Sequence, residues 1–305
     1  MPKTVLITGA YGFVGRNACR HYAAAGWTVL GLGHGAWARE EWRRWGLTEW
    51  HGADVTLDAL LTYAAEPDVI IHCAGSGSVG FSMTHPHQDF QRTVMSTLAV
   101  LEFARLHAPR ARIVYPSSAG VYGVAEKMPI AESAPARPAS PYGVHKKVAE
   151  DMCFSYARHF GLGVAIVRLF SVYGTELRKQ LLWDACVKIR NDGSLFFGTG
   201  GETRDWLHVD DAISLLAAAG EQASSTCPVV NGGTGAGTST AEVLAELFKA
   251  FGRSDSPAFS GEIRPGDPLH YEADISGALA WGWRPTTGWR DGVREYARWF
   301  MSDQT

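Results

Sequence analysis

The stretch Thr4-Val-Leu-Ile-Thr-Gly-Ala-Tyr-Gly-Phe-Val-Gly15 decides the fold. Val5, Leu6 and Ile7 make a short apolar run of the kind that forms a strand buried on both faces. Gly9, Gly12 and Gly15 follow at spacings of three and lead into an apolar helical pattern of Val14, Ala18, Tyr22 and Ala25. In a strand–turn–helix of this kind one glycine permits the reversal. A second lets a pyrophosphate approach the backbone, and a third lets helix and strand pack closely. The helix start adds unpaired N–H groups and the positive end of a dipole. Gly9, Tyr11, Gly12, Phe13, Val14 and Gly15 are therefore the candidate dinucleotide-binding turn. The spacing is G-x-x-G-x-x-G, not the more familiar G-x-G-x-x-G.

Working outward, apolar strands alternate with helices. Trp27–Gly33, Thr48–His51, Asp68–His72, Arg112–Pro116 and Gly163–Arg168 read as further strands. Asp89–His107 reads as one long helix, and another begins at Pro141. This order predicts an α/β fold with a doubly wound parallel Rossmann sheet. Residues 1–168 form the dinucleotide domain, to which segments near 203–231 return. Residues 169–305 are mainly a smaller substrate-binding lobe that would close a cleft over the cofactor.

A residue just past the second strand usually carries an acid for the adenosine ribose. Here it is His34, with Arg39, Arg43 and Arg44 close behind. Those arginines favour a 2′-phosphate, or else form a solvated helix face with Glu40 and Glu41. Asp54, followed by Val55, either reaches the adenine or caps the helix that Leu57 begins. Cys73, Ala74 and Gly75 are small enough for a cofactor to lie across their strand end, while His72 reads as a core histidine. Trp37, Trp42, Trp45 and Trp50 read as packing in preference to ligand stacking.

The 305 residues carry a formal charge of −3, which offers no basic field for nucleic acid or an anionic membrane. No apolar run approaches ~20 residues, and the opening Met-Pro-Lys leaves no room for a signal peptide. Five scattered cysteines without a C-x-x-C pair suit reduced thiols in the cytoplasm and no metal site.

Tyr142 and Lys146 lie one helical turn apart, so hydroxyl and ammonium can converge. A neighbouring ammonium favours the phenolate, and a strand-end serine could orient a substrate oxygen beside it. Such a set can take a proton from an alcohol as hydride leaves its carbon.

Here the chain resembles the extended short-chain dehydrogenase/reductases, the nucleotide-sugar epimerase, dehydratase and reductase group. The resemblance runs through Thr8–Gly15, Ser117-Ser-Ala-Gly-Val-Tyr-Gly123, Ser140-Pro-Tyr-Gly-Val-His-Lys146, Arg168-Leu-Phe-Ser-Val-Tyr-Gly174, Arg204-Asp-Trp-Leu-His-Val-Asp-Asp211 and Arg264-Pro-Gly-Asp267. It implies that Ser118, Tyr142 and Lys146 are catalytic, the last two also touching the cofactor. Arg204 and Arg264 would grip a substrate diphosphate and Asp267 a ribose hydroxyl. It also implies a homodimer through a four-helix bundle, with Val94, Leu98, Leu101, Val148 and Met152 as the apolar candidates.

Departures narrow the activity. Ser171 and Thr93 stand where the family often has asparagine, which weakens the usual amide contact of residue 171 to the diphosphate. Ser118-Ala-Gly120 replaces the Thr-Asp-Glu of the 4,6-dehydratases, which argues against loss of water. The missing acid at His34 favours a 4-ketoreductase preferring NADP over a 4-epimerase that keeps NAD. A dinucleotide sensor without catalysis is a third reading, against which the retained Ser118, Tyr142 and Lys146 speak.

Overall fold

The computed structural model describes residues 2–262 and 269–303. Six strands are legible in order: β1 (Thr4–Thr8), β2 (Thr28–Gly33), β3 (Glu49–Gly52), β4 (Val69–His72), β5 (Arg112–Ser118) and β6 (Gly163–Leu169). With Val229–Gly232 they make one seven-stranded parallel sheet, in the order Val229–Gly232, β6, β5, β4, β1, β2, β3. The chain leaves β1 towards β2 and β3 on one side and returns to β4 on the other. That reversal is the switch point where open α/β sheets bind ligands. Val5, Leu6 and Ile7 are essentially solvent-free, as a central strand covered on both faces requires.

Two compact units emerge. The first comprises residues 1–123, 135–168 and 213–230, the second 124–134, 169–212 and 231–305. The segment near 203–231 is thus divided: Thr203–His208 lies in the second unit, 213–230 in the first. The second unit holds a three-stranded sheet of Gly237–Ser239, Thr203–His208 and Ser171–Tyr173. Helices Gln180–Arg190, Thr240–Ala250 and Trp289–Asp303 belong to it too.

Two elements of the first unit bear directly on the site. The helix Pro141–Phe160 starts as the sequence predicts, with the Ser140 hydroxyl accepting from Gly143 N at 3.2 Å and proline in its first turn. It stops at Gly161, whose φ of 71° takes the left-handed conformation of a helix end.

The expected unbroken helix Asp89–His107 is corrected. A helix Pro86–Phe90 passes through a π turn, Gln91–Met95, into a second helix, Ser96–His107. There the Ser96 and Thr97 hydroxyls donate to the carbonyls of Arg92 and Thr93, each at 2.6 Å. Val94 and Leu101 of this run face the core, whereas Phe90, Met95 and Leu106 are exposed. On Pro141–Phe160, Val144 and Phe160 are exposed, while Val148 and Met152 are half-buried. Among the described residues no helix is long and apolar enough to cross a membrane.

Candidate active site

The glycine turn closes against the end of β4. Gly9 has a φ of 67°, and a Cβ there would stand 2.6 Å from Ala74 N. A Cβ on Gly15 would meet Gly9 O at 2.3 Å, so only glycine lets helix and turn approach this closely. Gly9 N donates to Leu32 O at 2.7 Å and Gly12 N to Gly9 O at 2.9 Å, which fixes the turn between β1 and β2. The helix Phe13–Ala24 begins at once, with no side chain capping it. Its first amides therefore point outward without intrahelical partners. Bare backbone, missing Cβ atoms and a helix start fit the pyrophosphate of a dinucleotide. Gly9, Tyr11, Gly12, Phe13, Val14 and Gly15 would hold it, with half-buried Cys73 and Ala74 and exposed Gly75 along the neighbouring strand end.

His34 is exposed just beyond β2, and exposed Arg39 opens the helix Arg39–Arg44. Next to them Tyr11, Trp37 and Trp50 stack edge to face, with centroid separations of 5.3 Å in both pairs. Trp37 is buried, so packing explains it. Arg16, not singled out from the sequence, donates twice to Tyr11 O (3.2 and 2.7 Å) and lies 5.3–5.7 Å from the Tyr11, Trp37 and Trp45 rings. Its position one residue after Gly15 was the available signal.

The capping role offered for Asp54 is corrected. Thr56 is the cap, its hydroxyl accepting from Ala59 N at 3.2 Å. Asp54 is exposed and Val55 half-buried. His72 is the core histidine foreseen, bonded to the Thr8 hydroxyl at 2.7 Å and the Thr97 hydroxyl at 3.1 Å.

Of the three expected catalytic side chains, Ser118 and Tyr142 come together in the first unit, and Lys146 is buried one helical turn along from Tyr142. Tyr142 is half-buried and hydrogen-bonded to Ser118, the residue that ends β5. Burial raises the phenol above its usual value, and the Ser118 hydrogen bond opposes that rise. The Tyr142 amide, otherwise unpaired at the helix start, donates to the Ser82 hydroxyl at 3.0 Å. Lys146 is buried, donates to Pro116 O at 3.0 Å and lies 4.8 Å from the Tyr115 ring centre. Burial pulls its ammonium down to about 8.

One turn further along, Glu150 is fully buried against Arg168. The Ser117 hydroxyl donates to Glu150 at 2.6 Å, and Arg168 donates to the Tyr122 hydroxyl at 3.0 Å. The helix Pro141–Phe160, the serine motif and the end of β6 are thereby tied into one polar network.

Of the expected substrate residues, Ser118 belongs to the first unit, and Ser171 and Arg204 lie in the second. Ser171 is half-buried opposite Trp206. Arg204 donates to Thr203 O at 2.8 Å and to Leu269 O at 3.3 Å and lies over the Tyr271 ring. Arg264 and Asp267 lie outside the described residues.

Residues 5–231 match the model of the NAD dependent epimerase/dehydratase family. The chain belongs to that family. A UDP-glucose 4-epimerase of Mycolicibacterium smegmatis is 32% identical to this family member, with 97% of this chain and 98% of the relative covered. A UDP-glucuronic acid 4-epimerase of Bacillus cereus, solved with UDP-glucuronic acid and NAD, is 25% identical. Its TM-score is 0.86, over 98% of this chain and 99% of that one. The UDP-glucose 4-epimerase of Thermotoga maritima gives a TM-score of 0.89 over 99% and 100%, and at 23% identity that likeness concerns the fold. The family member is thus an enzyme of the NAD-dependent epimerase/dehydratase kind.

Proposed function

We propose that the protein is a nucleotide-sugar 4-epimerase acting on a UDP-hexose with retained NAD. What supports this is the pairing of Ser118 with Tyr142, with Lys146 one turn further along the helix, beside a serine motif, Ala119 and Gly120, that has no acid for removing water. The full-length likeness to a UDP-glucose 4-epimerase supports it over the 4-ketoreductase expected from His34.

In this reading the sugar C4 oxygen sits between the Ser118 and Tyr142 hydroxyls. Tyr142 as phenolate takes the C4–OH proton while hydride leaves C4. NAD, when bound, supplies the acceptor for that hydride and the store from which it returns. Once the 4-ketone has presented its other face, Tyr142 would return the proton to the C4 oxygen. Lys146 favours the phenolate by its charge, and Ser118 holds the oxygen in line.

An epimerase must keep its dinucleotide through both half-reactions. NAD, present in the Bacillus cereus neighbour, is therefore preferred to the NADP that His34 and Arg39 favour by charge. We assign the first unit to the dinucleotide and the second to the substrate, with Ser171, Arg204 and Arg264 proposed for the diphosphate and Asp267 for the ribose. A homodimer through the helices that expose Phe90, Met95 and Val144 completes the proposal. Light scattering that finds only monomer at micromolar concentration overturns that part.

The test is interconversion of UDP-glucose and UDP-galactose by purified protein with no cofactor added. A mixture of both sugars supports the reading. Absence of conversion, or a requirement for stoichiometric NADPH, overturns it.

A further inference from the structure

Asp89 is fully out of solvent, and its Oδ2 lies 2.5 Å from Nδ1 of His145. Its other oxygen, Oδ1, is buried without a hydrogen-bond partner among the described residues. His145 stands on the catalytic helix between Tyr142 and Lys146. A buried carboxylate with one donor is an expensive thing for a fold to keep. Its place suggests why it is kept, because the pair sets a carboxyl group against the turn that carries both reacting side chains.

Lys146 needs such a neighbour. It is 7% exposed and has a single neutral hydrogen-bond acceptor, Pro116 O. The ionisable groups facing it are His72, Cys73, Asp89, Tyr115, Glu150 and Cys153. Burial holds His72 neutral, with its pKa down to about 3. Burial also pushes the Cys73 thiol up to about 12 and raises the Cys153 thiol and the Tyr115 phenol. Among these neighbours Asp89 and Glu150 are the two carboxylates.

Glu150 is taken up by Arg168 through two hydrogen bonds, 3.0 and 2.8 Å, and by Ser117. Among the described residues Asp89 has no lysine or arginine partner. His145 is its one close partner, and on the adjoining π turn exposed Arg92 is stacked on Phe81. On its own helix, His85 offers Asp89 only a backbone carbonyl, and His87 is exposed. The Asp89 charge reaches Tyr142 as well as Lys146.

We infer that Asp89, locked in place by His145, is the positioning residue that keeps Lys146 an ammonium and so sustains the site on the alkaline side of neutrality. The inference rests on the reading of Tyr142 and Lys146 as the reacting pair.

The experiment is the pH dependence of kcat/KM for UDP-glucose epimerisation by the holoenzyme and its variants. In the wild type, activity should fall as pH rises through about 8, where Lys146 loses its proton. Asp89→Asn should move that fall to lower pH by about one unit, the scale of a lost neighbouring charge. His145→Leu, which removes the hydrogen-bond partner that locks Asp89 in place, should move it the same way. His145→Gln, which keeps an N–H for Asp89, should leave it in place.

A merely structural role would lower kcat or stability equally at every pH. An alkaline limb that stays put in whichever of Asp89→Asn and His145→Leu folds overturns the inference. Tyr142→Phe separates the two levels. Near wild-type turnover in that variant removes the underlying catalytic reading, whereas an inactive Tyr142→Phe with an unmoved limb in the others overturns only the role of Asp89.

Discussion

Arg168 and Glu150 meet as two forks out of solvent, Nε to Oε1 at 3.0 Å and Nη2 to Oε2 at 2.8 Å. The pair joins the end of β6 to the catalytic helix, so its loss should be felt in stability and at the site. Arg168→Met should cost about 3–5 kcal/mol, because it strands a buried carboxylate. Replacing both, Arg168→Met with Glu150→Leu, should recover most of that loss. Urea unfolding of the single and double variants decides it, and a single variant as stable as wild type contradicts the account.

Tyr142→Phe should lower turnover by at least ~10²-fold, the scale of a lost general acid/base. Retention of NAD should hardly change, because the glycine turn and the helix start are untouched. Turnover and the NAD released on denaturation are the two readings. A variant that keeps its turnover sinks the assignment of the proton to Tyr142.

Residue 34 should govern the choice of dinucleotide. His34→Asp gives the ribose hydroxyls an acceptor and repels a 2′-phosphate. Protein loaded with equal NAD and NADP and passed through gel filtration should then retain a NAD:NADP ratio about tenfold higher than wild type, as one charge-assisted contact predicts. An unchanged ratio would place residue 34 away from the adenosine ribose.

His72 predicts a weakness in acid. Its folded value of about 3 lies below the ordinary 6.5, so the unfolded chain takes up a proton that the fold refuses. Stability should therefore fall as pH drops from about 6.5 towards 3, by about 3 kcal/mol between pH 7 and pH 4 from this group. His72→Gln should flatten that slope in urea titrations at the two pH values. Parallel slopes would show that His72 charges freely in the fold.

What the sequence made legible was local. The glycine turn, the Tyr142–Lys146 spacing and the Ser140–Pro141 helix start each sit within a few residues, where chain geometry alone fixes the outcome. Asp89 and His145 are 56 residues apart, and no periodicity links them. Ser82 is 60 residues from the Tyr142 amide it accepts from. The π turn was hidden because Gln91–Met95 contains neither glycine nor proline, and its cause lies in hydroxyls that bond backwards. Asp54 and Thr56 are both good caps by residue type, and only the backbone register separates them. Reductase and epimerase could not be told apart from Ser118, Tyr142 and Lys146, since the same proton and hydride steps serve both.

The difference between those two activities lies in the fate of one hydrogen. UDP-glucose carrying deuterium at C4, incubated with the purified protein, an excess of unlabelled NADH and NADPH, and no other additive, follows it directly. UDP-galactose that keeps its deuterium at C4 in full, by mass spectrometry and proton NMR, is the result predicted for hydride taken from and returned to the same sugar. Deuterium lost from C4 into the free nicotinamide pool or replaced by hydrogen, or no UDP-galactose at all, would contradict it.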